Sequence, residues 1–405
     1  MNFNQFNLDS RLEAGIKKAG YSEPTPIQKK VITLAMSGTD LIGTAQTGTG
    51  KTAAFVLPIL HKLLVDQHKY ATVLIVTPTR ELAAQIKENI DILQYRTGIR
   101  STTVYGGVGA APQIKALRRG VDIIVACPGR LLDLINQGYA KLDRINVLVL
   151  DEADRMLDMG FLPDIKRILS YLPKKRQTML FSATFPREIE ALAKQVLHNP
   201  RRVAIGLSRP AHTVSHSIFP VPQHLKPKLL LKILEHTDTN SVLIFTRTKY
   251  RAKSLAKKIA KKNYTVTSIH SNRSQAQRQS ALKGFKDGTY HIMVATDIAA
   301  RGLDIENISH VINFDIPATA DDYIHRIGRT GRAERNGDAF TLTTPEDDDM
   351  IKKLERIIGG RIPRERLEDF DYNTPKPEHN QRPRKAINKG HKSKSRSRSA
   401  NSRKS

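Results

Sequence analysis

Short apolar runs separated by amphipathic stretches set the rhythm of this chain from about residue 38 onward. Asp40-Leu41-Ile42-Gly43 leads into a Gly-rich turn and then an apolar-periodic stretch after Lys51. Thr72-Val73-Leu74-Ile75-Val76 is followed by a helical pattern starting near Arg80. Asp122-Ile123-Ile124-Val125-Ala126, Val147-Leu148-Val149-Leu150 and Met179-Leu180-Phe181 are further continuous apolar runs of strand length. Strands apolar on both faces and separated by helices belong to a parallel sheet covered on both sides. The pattern therefore predicts a doubly wound α/β domain.

A second set of the same kind follows. Its strand-like runs are Ser241-Val242-Leu243-Ile244-Phe245, His291-Ile292-Met293-Val294-Ala295 and Ser309-His310-Val311-Ile312-Asn313-Phe314. Between the two sets, Ile205-Gly206-Leu207-Ser208-Arg209-Pro210-Ala211-His212 carries Gly and Pro and no periodicity, so it reads as a linker. The expected organisation is a first domain over residues 1–207, a linker over 208–214, a second domain over 215–368 and a tail over 369–405. The tail, with Gln381-Arg382-Pro383-Arg384-Lys385 and Lys392-Ser393-Lys394-Ser395-Arg396-Ser397-Arg398, is basic and poor in apolar groups. Such a segment cannot bury enough surface to fold and is expected to be disordered, either as a solvated solubility tail or as an arm that grips phosphates without reading sequence. The arm is favoured, because the rest of the chain also points to nucleic acid.

Charge sharpens that expectation. Over 405 residues the formal net charge is +27, a field that attracts polyanions, either nucleic acid or an anionic membrane. The single cysteine, Cys127, excludes an intrachain disulfide and a four-cysteine metal site, and it fits a reducing compartment. The polar start Met1-Asn2-Phe3-Asn4-Gln5 lacks the build of a secretory signal. No apolar run approaches the roughly 20 residues a bilayer requires. A cytoplasmic protein that works as a monomer, with no membrane partner, is expected.

The strongest chemical signal is Ala45-Gln46-Thr47-Gly48-Thr49-Gly50-Lys51-Thr52. It fits the phosphate-loop pattern Gly-x4-Gly-Lys-Thr, except that alanine takes the first position. It follows an expected strand and opens an expected helix, and this context outweighs the plain alternative of a Gly-rich turn. The glycines let backbone N–H groups face phosphate oxygens, and the helix N-terminus adds partial positive charge. Lys51 supplies a point charge for the β- and γ-phosphates, and the Thr52 hydroxyl is placed for Mg²⁺. Further on, the run Val147–Leu150 ends in Asp151-Glu152-Ala153-Asp154. Carboxylates at the C-terminal end of a parallel strand lie where ligands of such sheets bind. Asp151 is expected to hold Mg²⁺ through water and Glu152 to polarise the attacking water. Transfer of a γ-phosphoryl group also needs positive charge in the transition state. The candidates are Arg329 and Arg332, three apart in Tyr323-Ile324-His325-Arg326-Ile327-Gly328-Arg329-Thr330-Gly331-Arg332. A basic RNA-facing surface is the other reading of these arginines. If they act on the nucleotide, hydrolysis requires the domains to close.

These motifs together, with Ser182-Ala183-Thr184 between them, resemble the DEAD-box ATP-dependent RNA helicase family over roughly residues 1–360, and within it the bacterial RhlE-type subgroup. The resemblance implies two RecA-like parallel-sheet domains in tandem, with ATP and Mg²⁺ in the cleft between them and single-stranded or short duplex RNA across both. It implies a Q motif in Gly20-Tyr21-Ser22-Glu23-Pro24-Thr25-Pro26-Ile27-Gln28, with Phe3 as its upstream aromatic. Gln28 would hydrogen-bond the adenine edge and Tyr21 would stack on its face. Ser182 and Thr184 would couple the metal site to closure, His325 would reach across to the acidic motif, and Asp304 would contact the ribose. RNA contacts would come from Pro78, Thr79, Arg80, Gly107 and Arg130 in the first domain, and from Thr246, Arg247, Gln275, Arg278 and Thr296 in the second. Many of these are Thr, Gly or Arg at expected strand ends or helix starts, where hydroxyls and N–H groups meet phosphates.

Two positions depart from the family pattern. Cys127 stands where the family usually has Thr before Pro-Gly-Arg, which costs a hydroxyl and weakens one phosphate contact. His270-Ser271 stands where the family usually has His-Gly. Neither matches a catalytic residue. Two rivals are a DNA-directed motor and an RNA-annealing protein in which hydrolysis is incidental.

Overall fold

The computed structural model describes residues 2–44, 49–66, 72–204, 214–238, 240–300, 305, 308–330 and 337–376. Residues 1–370 form one compact unit, and the chain from Asp371 onward forms another. Of the second unit, a local turn is described: the Asp371 carboxylate accepts from the Asn373 N–H at 2.9 Å and from the Thr374 hydroxyl at 2.8 Å.

The first unit holds two sheets, and every strand pair in them is parallel. The first contains β1 (Leu41–Thr44), β2 (Val73–Val76), β3 (Ser101–Val104), β4 (Ile123–Ala126), β5 (Val147–Leu150), β6 (Gln177–Ser182) and β7 (Arg201–Ala204), in the order β3-β4-β2-β5-β6-β1-β7. The second contains β8 (Val214–Pro220), β9 (Val242–Thr246), β10 (Val266–Ile269), β11 (Ile292–Thr296), β12 (His310–Asn313) and β13 (Gly337–Thr343), in the order β10-β11-β9-β12-β13-β8. The unbroken apolar runs have the cause anticipated for them. On β5, Val147 and Val149 enter the core on one face of the sheet, and Leu148 and Leu150 enter the core on the other. On β2 the same split separates Val73 and Ile75 from Leu74 and Val76. Side chains alternate along a strand, so a run apolar at every position requires helices on both faces.

Strand order decides what meets at the C-terminal edge. β6 lies between β5 and β1, with Leu148 opposite Thr178 and Ile42 opposite Leu180. The C-terminal ends of β1, β6 and β5 therefore lie side by side. Gly43 on β1 makes this close approach possible, since a Cβ there would sit 2.4 Å from the ring of buried Phe181 on β6. Among the described residues, no helix is long and apolar enough to cross a membrane.

Candidate functional site

Lys51 opens the helix Lys51–Asp66 and is buried, as are Asp151 and Glu152 at the end of β5. Burial pushes the Asp151 carboxyl up to about 6. The Lys51 ammonium opposes that rise, while the Glu152 charge adds to it. Glu152 caps the helix Ala153–Asp158 in the left-handed backbone region, at φ 54° and ψ 53°. A non-glycine residue there carries strain of about 1–3 kcal/mol, and such strain collects at functional sites. Its backbone N–H donates to Asp151 Oδ1 at 3.0 Å. Its Oε2 accepts from Arg155 Nη1 at 2.9 Å, whereas Oε1 is buried with no partner.

The Ser182-Ala183-Thr184 segment is fastened to the same turn through Asp154. Asp154 Oδ2 accepts from the Ala183 N–H, the Thr184 N–H and the Thr184 hydroxyl, at 3.1, 2.8 and 3.1 Å. The Ser182 hydroxyl accepts from the Asp154 N–H at 3.0 Å and donates to the Thr184 carbonyl at 2.7 Å. Displacing either segment would leave buried polar groups unpaired, so the two move together.

The second sheet's lobe meets this turn directly. His325, on the helix Ala320–Ile327, places Nδ1 3.0 Å from Arg155 Nη2. Arginine only donates, so Nδ1 is the acceptor and the ring proton sits on Nε2. Burial, and after it the Arg155 charge, push His325 down to about 4, which keeps it neutral. Arg329 is also buried, and with Arg155, Asp158 and His325 it lines a water-sized cavity of about 30 Å³ between the lobes. Neighbouring Arg326 is a clamp: it forks onto Asp297 at 2.6 and 2.7 Å and donates from Nη1 to Asn313 Oδ1 and the Asp315 carbonyl, both at 2.8 Å.

Residues of the expected Q motif pack on Thr49 and Gly50, just before Lys51. Gln28 accepts from the Thr25 N–H at 2.9 Å, as half of a helix capping box, and donates to the Gly50 carbonyl at 3.2 Å. Gly50 has φ 89°, and a Cβ there would lie 2.6 Å from Gln28 Nε2. The Thr25 hydroxyl donates to the Thr49 carbonyl at 2.9 Å. Tyr21 stacks on Phe3 with ring centroids 5.9 Å apart, and its hydroxyl accepts from Asn89 Nδ2 at 3.2 Å. Thr52 is half-buried on the first turn of its helix. Ala45, Gln46, Thr47, Gly48, Asp304 and Arg332 lie outside the described residues, as do most of the 208–214 linker and the tail beyond Lys376.

The expected RNA-contacting residues divide by what they touch. Pro78 and Thr79 are buried, and the Thr79 hydroxyl caps the helix Arg80–Leu93 by accepting from the Leu82 N–H at 3.2 Å. The Arg80 guanidinium lies against Gly107, where φ is 78° and a Cβ would fall 1.7 Å from Nη1. Arg130 reaches the Val108 carbonyl at 3.4 Å. In the second lobe, the Thr246 hydroxyl is buried and donates to the Thr248 and Ala295 carbonyls at 3.3 and 3.4 Å. Arg247 is exposed, with its N–H held by Asp315 at 2.8 Å, and Thr296 is half-buried at the end of β11. Gln275 and Arg278 face the other lobe. Gln275 Nε2 donates to Glu81 Oε1 at 2.9 Å, and Arg278 Nη2 lies 3.1 Å from Glu81 Oε2. Cys127 takes the N-cap of the helix Pro128–Asn136 without a side-chain cap bond, and burial pushes its thiol up to about 12.

Residues 25–192 match the DEAD/DEAH box helicase family model, and residues 225–334 match the helicase conserved C-terminal domain. ATP-dependent RNA helicase CshA of Listeria monocytogenes is 43% identical over 363 residues, covering 89% of this chain and 69% of that protein. The chain belongs to the DEAD/DEAH box helicase family. DEAD-box ATP-dependent RNA helicase 30 of Arabidopsis thaliana is 44% identical over 363 residues, covering 88% of this chain and 61% of that protein. The solved structure of Saccharomyces cerevisiae Dbp5 bound to RNA and ADP BeF3 aligns with a TM-score of 0.81 at 29% identity, covering 89% of this chain and 95% of that one. Sequence reasoning passed over Arg155 and Asp297 and quoted Glu81 and Asp154 within motifs without a role of their own; the partners of all four lie far along the chain or across the lobes. The signal that could have singled out two of them is position: Asp154 and Arg155 stand two and three residues after the water-polarising candidate.

Proposed function

We propose that this protein is an ATP-dependent RNA helicase in which hydrolysis at the end of β5 is licensed by closure of the two lobes. The observation that carries the reading is the burial of Asp151 and Glu152 beside Lys51, under His325 and Arg329 of the other lobe. A site completed by both lobes is active only when they meet, and a strand bound across both would favour that state. ATP and RNA binding should then reinforce each other. Closure would bend one strand and exclude its partner, so that short duplexes melt locally and hydrolysis resets the cycle. We read the lobes as residues 1–207 and 215–368, joined by 208–214, with 369–405 as a basic arm that grips RNA phosphates, in a protein that works as a monomer. Within the family the RhlE-type assignment rests on the compact two-domain core with its basic C-terminal stretch; the relatives named above carry other subgroup names. The cytoplasm is the compartment this chemistry would serve.

The residues fit a magnesium ion. Asp151 offers a hard oxygen donor, the Thr52 hydroxyl stands on the helix that follows the phosphate loop, and the partnerless Glu152 Oε1 adds buried negative charge for a divalent ion to offset. Among the described residues no group of three or more His, Cys, Asp or Glu forms a metal cage, so such an ion would draw most ligands from water and phosphate. When bound, it would offset charge developing on the terminal phosphate oxygens. Lys51 would hold the β- and γ-phosphates, Arg329 and Arg332 would face the γ-phosphate, and Glu152 would orient the attacking water. Asp304 would hold the ribose. Gln28 keeps one N–H and one lone pair for the adenine edge, so ATP should be preferred to GTP.

The test is ATP turnover with matched single-stranded RNA and DNA, alongside melting of a short RNA duplex. RNA should stimulate turnover and DNA should not. Glu152→Gln should bind ATP and RNA yet turn over about 100-fold more slowly or worse, and Lys51→Ala should lose ATP-dependent unwinding. Equal stimulation by DNA, or duplex melting that proceeds without ATP, would reject the reading.

A further inference from the structure

We infer that Arg155 is the positioning residue through which lobe closure aims the Glu152 carboxylate. The inference rests on the helicase reading and assigns a new role within that site. Arg155 is 4% exposed, as is Glu152, and the two pair across one helical turn. Its two terminal nitrogens are divided between the lobes: Nη1 holds Glu152 Oε2 at 2.9 Å, and Nη2 reaches His325 Nδ1 at 3.0 Å. Fixing Oε2 leaves Oε1 as the one carboxylate oxygen without a partner, available to accept a hydrogen bond from the attacking water. A guanidinium suits this task because its planar fork presents two N–H groups in fixed directions, which the point charge of lysine cannot. Asp154, the other acid of this turn, is already engaged with Ala183 and Thr184, so it does not compete for Arg155. The His325 bond exists only while the lobes are in contact. Opening them removes one of Arg155's two anchors and loosens the carboxylate that Arg155 holds.

The experiment compares the full-length protein with Arg155→Gln and Arg155→Lys at saturating single-stranded RNA. For Arg155→Gln, kcat should fall about tenfold or more, as expected for loss of a charged hydrogen bond, while KM for ATP stays within about twofold. The RNA affinity gained on adding the analogue AMP-PNP should shrink severalfold, because the Arg155–His325 bond contributes to the closed state. Single-turnover hydrolysis in a Glu152→Gln background should be lowered little further by Arg155→Gln, since the residue acts through that carboxylate. A wild-type kcat in Arg155→Gln, or the same proportional loss with and without Glu152, would overturn the inference. If Arg155→Gln does not fold, Arg155→Lys decides, and a wild-type kcat there overturns it equally. Absence of RNA-stimulated turnover in the unmodified protein would instead reject the helicase reading itself.

Discussion

Asp151 shows how one buried carboxylate can be costly to the empty protein and useful to the loaded one. Its pKa stands at about 6 in the folded chain against 3.8 for the free side chain, because burial penalises the charged form. Above pH 6 the folded state carries that charge at a cost, which is relieved as pH falls through 6 and the group takes a proton. A displacement of that size corresponds to about 3 kcal/mol. Asp151→Asn should therefore raise the melting temperature of metal- and nucleotide-free protein at pH 8, with the gain fading by pH 5, while abolishing ATP turnover. Thermal melts across that range in a chelating buffer check this; a gain independent of pH would mean the burial of the charge is not the cause.

At the scale of elements, a helix contact near the N-terminus reverses the usual rule for glycine. Gly15 lies on the helix Glu13–Lys18, where alanine would be favoured by about 1 kcal/mol on propensity alone. A Cβ at Gly15 would stand 2.0 Å from the backbone oxygen of Leu93, at the end of the helix Arg80–Leu93. Backbone cannot turn aside as a side chain can, and overpacking of this kind costs about 1–3 kcal/mol. Gly15→Ala should thus lower the melting temperature by up to about 4 °C, read by circular dichroism. An increase would show that the two helices separate at little cost. The helix so held carries Arg80 and Glu81 at its first turn, so the contact bears on the packing of Arg80 against Gly107 and on the lobe interface together.

For the whole molecule, the meeting of Glu81 with Gln275 and Arg278 supplies a second bridge between lobes, apart from the one at Arg155. Glu81 and Arg278 are both largely out of water, and burial pulls the Arg278 pKa down while Glu81 opposes the fall. Losing one member of such a pair is destabilising only in the state where both are buried. Glu81→Gln should therefore weaken RNA binding about tenfold when AMP-PNP is present and leave nucleotide binding without RNA unchanged, measured by fluorescence anisotropy of a labelled RNA. If Arg278 acts on RNA rather than on Glu81, the same change would free its guanidinium and RNA affinity would rise.

Sequence alone determined the fold class and the family, and it marked the candidate site residues. Runs apolar at every position required parallel strands covered on both faces. Gly50-Lys51-Thr52 after a strand and Asp151-Glu152 after another marked the candidate phosphate and water-handling groups, because those motifs are local and written in adjacent residues. Tertiary structure decided everything that depends on partners distant along the chain. The order β5-β6-β1 brought Asp154 to Thr184, Gln28 was drawn onto the Gly50 carbonyl, and Gln275 and Arg278, expected to face RNA, met Glu81. Nothing in the letters around Arg155 tells that it joins Glu152 to His325, 170 residues away. Hydrophobic periodicity encodes which face of an element is buried, whereas the pairing of buried charges follows from which faces the folded chain brings together.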